Sequence, residues 1–222
     1  MSPLKDTECY WMKSDLWAVD PQWRTKLAKE IRRKLIHVSG VIVPISILML
    51  GKTLTAILVA LALIFALILE FMRLNGKINL PEVRDKEHNK VAGYIYYILG
   101  SLITVIIFPP MIAIVAMLNL SLGDTVSGIV GSVFDNSNVR ANCDNIRIKP
   151  FPIVASIFLA CLAIGYLSSN ITQLSFGVYL AGAVGATAAD SVAININGRG
   201  ADDNLTIPLL SGFMMNLVFW LS

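Results

Sequence analysis

The sequence predicts an all-α fold: a polytopic membrane bundle of about seven transmembrane helices, with its N-terminus on the cytoplasmic side. Three observations carry that expectation. Hydrophobic residues make up 55% of the 222 residues, and mean hydropathy is +0.67, above ordinary soluble domains. Seven apolar runs punctuate the chain, each near the length of one bilayer crossing. The basic residues fall almost entirely in alternate connecting segments.

Residues 1–34 read as a polar, interfacial N-terminal segment. Trp11, Trp17 and Trp23 stand among Lys and Arg, the composition of a stretch lying on lipid headgroups. The short apolar core of a cleaved signal peptide is missing. Residues 35–222 hold the apolar runs, at Leu35–Leu50, Thr53–Phe71, Val91–Phe108, Met111–Val133, Pro152–Leu167, Leu174–Ile196 and Leu205–Leu221. The fifth run is short enough to be re-entrant instead. Gly51-Lys52, Asn75-Gly76, Pro109-Pro110, Ser168-Ser169-Asn170 and Asn197-Gly198 punctuate them, as turn chemistry requires.

Alternating threading puts segments 1–34, 72–90, 134–151 and 197–204 on one side. They carry 8, 5, 3 and 1 Lys/Arg, which is 17 of 18; only Lys52 falls outside. Basic residues in short loops stay cytoplasmic, so this partition sets the orientation. Twelve of the 15 acids lie in the same segments. The outer loops offer little material for a site. The three cysteines, Cys9, Cys143 and Cys161, form neither a disulfide framework nor a zinc pattern.

Three carboxylates lie within apolar runs: Glu70, Asp124 and Asp190. Ionisable groups there are costly and mark functional candidates. Glu70 and Arg73 are spaced i,i+3, which suits an interfacial ion pair. Asp190 ends the small-residue stretch Gly182–Ala189, which permits close helix packing. Asp124 lies in Gly123-Asp124-Thr125-Val126-Ser127-Gly128-Ile129-Val130-Gly131. The glycines bring backbone close to a neighbouring helix or to a phosphate, and the carboxylate suits Mg²⁺. The following polar loop supplies Arg140, Arg147 and Lys149. Close backbone, an acid and downstream cations are the parts a nucleoside triphosphate site needs; a basic loop attracted to anionic lipid is the plainer alternative.

Two further clusters face the same side. Glu30, Arg33 and His37 share one helical face before the first run, and His37 can orient phosphate or relay a proton. Asp202-Asp203-Asn204 opens the last run, suiting either a metal contact or a helix cap with Pro208 in the first turn.

Taken in order, these residues resemble the polyprenol kinase family, which includes dolichol kinase, phytol kinase and CTP-dependent diacylglycerol kinase. The resemblance runs through Arg33-Lys34-x-x-His37, Glu70-x-x-Arg73, Glu87-His88 with Gly93, Gly123-Asp124-x-x-x-Gly128-x-x-Gly131, Lys149 and Asp203-Asn204-Leu205-Thr206-Ile207-Pro208. It covers about residues 30–212. It implies an integral, multi-pass lipid kinase with a cytoplasm-facing site in residues 35–222. That enzyme would transfer phosphate from CTP (or ATP), with Mg²⁺, to a lipid alcohol, foremost an isoprenoid alcohol.

On that resemblance Asp124 and Asp203 would hold metal. Gly123, Thr125, Gly128, Gly131, Arg147, Lys149 and Asn204 would bind nucleotide. Asp190 or His37 would accept or orient the hydroxyl, with Lys149 neutralising phosphate. The expected partners are the lipid alcohol, the nucleotide and membrane lipids, with no nucleic acid. The chain departs from the family where Lys149 is followed by Pro150-Phe151-Pro152 rather than Ser/Thr-x-Glu-Gly. Asp190 stands where many members carry Glu. The rival readings are a CTP:lipid-phosphate cytidylyltransferase and a transporter or non-catalytic membrane protein.

Overall fold

The computed structural model describes residues 19, 21–78, 90–134, 141–143, 146–192, 195–196, 199–200 and 202–221. In chain order the helices are α1 (Trp23–Ser39), α2 (Ile42–Leu74), α3 (Gly93–Ile107), α4 (Pro110–Leu118), a π-helical turn (Asn119–Gly123), α5 (Asp124–Val133), α6 (Phe151–Thr172), α7 (Phe176–Ser191) and α8 (Asp203–Leu221). Among the described residues, four segments are long and apolar enough to cross a membrane: Trp23–Leu74, Pro110–Val133, Phe151–Thr172 and Asp203–Leu221. Gly93–Ile107 is a shorter apolar helix.

Several expected runs take another form. The first is divided at Gly40-Val41 between α1 and α2. α2 then continues into the second run through Gly51, whose φ of 80° and ψ of 166° break the helical path. Only glycine adopts that conformation without strain. Beside the break, Lys52 Nζ donates to the Phe108 carbonyl at 2.9 Å, pinning it to the turn where Pro109 and Pro110 start α4. The sixth run ends as helix at Ser191, and Asn195–Ile196 forms a strand instead.

Among the described residues, two antiparallel hairpins interrupt the helices where the sequence suggested loops. β1 (Ala141–Cys143) pairs with β2 (Ile146–Ile148), setting Asn142 opposite Arg147. β3 (Asn195–Ile196) pairs with β4 (Arg199–Gly200).

α4 is the central element, with Ile112, Ala113, Ile114, Val115, Ala116 and Met117 all buried. It packs against α2, α3, α6 and α8. Large apolar side chains on the outside, such as Leu61, Phe65 and Ile68 of α2, are exposed; a continuous surface of that kind suits lipid. The small residues of α7 are a helix interface. A Cβ at Gly185 would lie 2.7 Å from the Leu210 carbonyl oxygen, and one at Gly182 2.7 Å from Met215. Polar links cross the interior as well. Asn119 Nδ2 donates to Ser211 Oγ at 3.0 Å, and Ser211 Oγ donates to the Gly182 carbonyl at 3.0 Å. Such bonds tie α7 and α8 to the π-helical turn where water is scarce.

Candidate functional site

The site is built where α1, α5 and the starts of α6 and α8 meet. Immediately before α5 the Asp124 amide donates to the Asn119 carbonyl, five residues back. That extra residue in the turn rotates the following face by roughly 100° relative to an unbroken α-helix. Asp124, Ser127, Gly128 and Gly131 then share one face, at i, i+3, i+4 and i+7. All four line a polar cleft of about 540 Å³.

α1 lies directly over that face. A Cβ at Gly128 would sit 2.4 Å from both Glu30 Oε1 and Lys34 Cε, so glycine permits the approach. Gly128→Val is expected to push α1 off α5 and to cost about 1–3 kcal/mol. Thermal unfolding in detergent, followed by size exclusion, measures the loss. A stability matching the parent would show that α1 does not rest there.

The close approach brings one cation and one imidazole onto Asp124. Lys34 Nζ lies 2.6 Å from Asp124 Oδ2, and the lysine is only 3% exposed. A buried ammonium needs such a partner. His37 Nδ1 is 3.2 Å from the same oxygen but is not aligned for a hydrogen bond. Glu30 pairs with Arg33 on the same helix and stands 3.9 Å from Lys34 Nζ. Lys26 and Lys29 complete the α1 side of the cleft.

Lys149 enters from the opposite side. Pro150 and Pro152 start α6 immediately after it, positions where proline's missing amide costs nothing. The Lys149 amide donates to the Ser191 carbonyl at 3.1 Å, which ties the start of α6 to the end of α7. Its ammonium donates to Asp190 Oδ1 at 2.6 Å, and Ser127 Oγ donates to Asp190 Oδ2 at 2.8 Å. Burial alone would lower the Lys149 pKa. The carboxylates of Asp190 and Asp203 outweigh burial and hold it above the ordinary lysine value.

The start of α8 supplies the third wall. Asp202 caps the helix, its Oδ1 accepting from the Asn204 amide at 3.0 Å, as an N-cap acid does. Pro208 sits inside α8, beyond the first turn expected for it. Asn204 Nδ2 donates to the Gly93 carbonyl at 3.2 Å. A Cβ at Gly100 would come 2.7 Å from the Asn204 carbonyl oxygen, so α3 and α8 pack in close register.

Of the residues singled out in the sequence, the cleft gathers Glu30, Arg33, His37, Asp124, Gly128, Gly131, Lys149, Asp202, Asp203 and Asn204. Gly123, Thr125, Asp190 and Glu70 lie elsewhere. Gly123 faces α6, where its Cβ would be 2.8 Å from Cys161 Sγ. Thr125 Oγ1 donates back to the Ser121 carbonyl at 2.6 Å. Asp190 is fully buried behind Lys149 and Ser127. Arg140, Glu87, His88 and the side chain of Arg147 lie outside the described residues.

Glu70 forms the ion pair its spacing suggested, with Arg73 Nη2 at 2.7 Å. It also accepts from the Ala92 amide at 2.8 Å and the Tyr94 hydroxyl at 2.6 Å. This cluster fastens the end of α2 to the start of α3 rather than lining the cleft. The sequence assigned no role to Lys34, which stood only within Arg33-Lys34-x-x-His37, or to Ser127. Their signal was their spacing: Lys34 is i,i+4 from Glu30, and Ser127 is i,i+3 from Asp124.

Among the described residues, no group of three or more His, Cys, Asp and Glu side chains forms a metal cage. Mg²⁺ asks for less, usually one or two carboxylates with phosphate and water completing the shell. Asp124 and Asp203, which line one cleft from two helices, fit that demand.

No family model and no solved structure matches the chain. It is similar to an uncharacterized protein of Rickettsia prowazekii, 28% identical over 193 residues, which covers 81% of this chain and 90% of that protein. It is also similar to the CTP-dependent diacylglycerol kinase 1 of Schizosaccharomyces pombe, 27% identical over 157 residues, which covers 67% of this chain and 70% of the kinase.

Proposed function

We propose that the chain is a membrane lipid kinase that transfers the γ-phosphoryl group of CTP to the hydroxyl of a lipid alcohol. The observation that carries the reading is the cleft itself. Asp124 lies among Lys34, His37 and Lys149 at the edge of an apolar bundle, with Arg33, Lys26 and Lys29 around the rim. Anionic phosphates fit a cleft lined by these four lysines and Arg33. The likeness to a CTP-dependent diacylglycerol kinase supports both the reaction class and the donor.

Lys34, Lys149 and Arg33 hold the phosphates and offset the charge that develops on them. Asp124 and Asp203 hold Mg²⁺, which when bound neutralises charge on the phosphate oxygens. Asn204 orients the polar end of a substrate. The lipid hydroxyl oxygen forms the new bond to the γ-phosphorus as the bond to the β-phosphate oxygen breaks. CDP leaves, and the hydroxyl proton is released. His37 is better placed than Asp190 to orient that hydroxyl, because Asp190 is already engaged by Lys149 and Ser127.

The seven apolar runs serve as seven passes with the N-terminus in the cytoplasm, so the cleft faces the cytosolic nucleotide pool. Lys52 alone then lies at the far end, bonded to Phe108. A transporter needs charged groups along a path between the two faces, and the gathering of charge at one end disfavours that rival.

The test is a transfer assay on the purified protein with radiolabelled CTP and ATP. Polyprenol, phytol, geranylgeraniol and diacylglycerol serve as acceptors. Phosphorylated lipid from CTP is the expected product, with an isoprenoid alcohol or diacylglycerol as the preferred acceptor. A CDP-lipid made from a lipid phosphate would assign the chain to the cytidylyltransferase reading. No product from any acceptor would overturn the kinase reading.

A further inference from the structure

A second cavity, of about 540 Å³, lies beside the polar cleft among α1, both arms of α2 and α3. Its walls are largely hydrocarbon, with Val43, Leu58, Val59, Ala62 and Ile98 among them. Two hydroxyl groups in the same wall are already used: Thr55 Oγ1 donates to the Gly51 carbonyl at 2.8 Å and Ser101 Oγ to the Tyr97 carbonyl at 2.7 Å. The deep part therefore suits hydrocarbon rather than a polar ligand. Its volume falls within the roughly 300–1,000 Å³ of small-molecule sites.

Two features say what occupies it. The cavity shares Arg33, His37 and Asn204 with the polar cleft, so the two spaces meet at those side chains. Two of its wall residues, Ile42 and Leu58, are also 66% and 45% exposed on the outer apolar surface. The cavity thus reaches sideways to where lipid would lie. An occupant must be apolar along its length and polar at the end that meets the cleft.

The junction is rigidly built. Tyr97 OH shares a hydrogen bond with Ser121 Oγ at 2.7 Å, and its ring meets His37 edge-on at 5.1 Å between centroids. A Cβ at Gly40 would fall 1.6 Å from the Tyr97 hydroxyl, so glycine is what lets Tyr97 stand there.

We propose that this cavity is the acceptor site. A lipid alcohol enters sideways between the two arms of α2, lays its chain against Val43, Val59 and Ile98, and presents its hydroxyl at His37 and Asn204. The assignment rests on the kinase reading for its chemistry, but the hydrocarbon site can be tested without any transfer. A chain longer than the cavity extends through the same side opening into the bilayer. An isoprenoid alcohol and diacylglycerol share the recognised chemistry, a hydroxyl at the end of hydrocarbon.

The first arm is photolabelling of the full chain in nanodiscs with a long-chain primary alcohol bearing a diazirine. Labels are expected on α2 and α3 around Val59 and Ile98. Excess polyprenol or diacylglycerol should displace them, whereas an alkane of equal length should not; which alcohol competes better distinguishes the two sources. Labels confined to α6 and α7, or equal displacement by the alkane, would overturn the assignment.

The second arm is kinetic. Val59→Trp fills the cavity and is expected to lower kcat/KM for the lipid at least tenfold, with KM for CTP unchanged. Leu61→Trp, on the 58% exposed outer face of the same helix, is expected to match the parent. A Val59→Trp protein with unaltered lipid kinetics would also overturn the assignment. If the parent labels in the cavity but transfers phosphate to no lipid, the kinase reading fails while the lipid site stands.

Discussion

Asp124→Asn is expected to lower phosphoryl transfer by a thousandfold or more while the protein still extracts and elutes as a folded species. The change keeps the side chain's size and removes its charge. Two consequences combine. The proposed metal loses an anionic oxygen, and Lys34, 3% exposed, loses the partner 2.6 Å away that orients it. Displacing one preorganised charge-stabilising group costs roughly 10²–10³ in rate, and here both a cation and a metal ligand move. Asp124→Glu should recover little, because the longer acid pushes into Lys34 where α1 lies against Gly128. Single-turnover transfer from labelled CTP is the measurement. Near-parental transfer by Asp124→Asn would remove Asp124 from the chemistry and leave it as a helix-pairing ion.

Asp190→Ala is expected to produce the largest loss of stability, about 3–5 kcal/mol, the usual cost of stranding one partner of a buried ion pair. Asp190 is fully buried, accepts from Lys149 and Ser127, and sits where the starts of α6 and α5 meet the end of α7. The double variant Asp190→Ala/Lys149→Met should regain much of that stability, since neither ion is then left alone. It should not regain transfer, because the phosphate-facing cation is gone. Thermal unfolding in detergent and the transfer assay, run on both single variants and the double, separate the two roles. If Asp190→Ala were inactive yet as stable as the parent, Asp190 would be acting on substrate directly instead of holding Lys149.

The membrane character was legible in the amino-acid order because it depends on runs and partition alone. Seven apolar stretches, 17 of 18 cations in alternate segments and Gly, Pro, Ser or Asn at each expected break are one-dimensional facts. The lone outlier, Lys52, found its place at Phe108. Asp124, His37, Lys149 and the Asp203-Asn204 start of α8, which meet in one cleft, could be picked out from the sequence, since each stands out within its own segment. Gly123, beside Asp124, faces α6 instead. Gly128 and Gly131 could be noticed, but whether they faced a helix or a phosphate could not be read. At Gly128 the neighbour is α1.

Pairing across segments was hidden. Lys34 stood only as one residue of the Arg33-Lys34-x-x-His37 element, and nothing in residues 30–37 says that its partner is 90 positions away. Asp190 and His37 were equivalent candidates until packing put one behind Lys149 and the other at the mouth of a hydrocarbon cavity. Thr125, next to Asp124 in sequence, turned out to bond within its own helix. The π-helical turn explains part of this, because a one-residue register change rotates a whole face without altering any motif. Hydropathy and charge sum locally along a chain, so they survive in the sequence. Which carboxylate meets which ammonium depends on helix register and close approach, and those arise only when α1, α5, α6 and α7 are packed together.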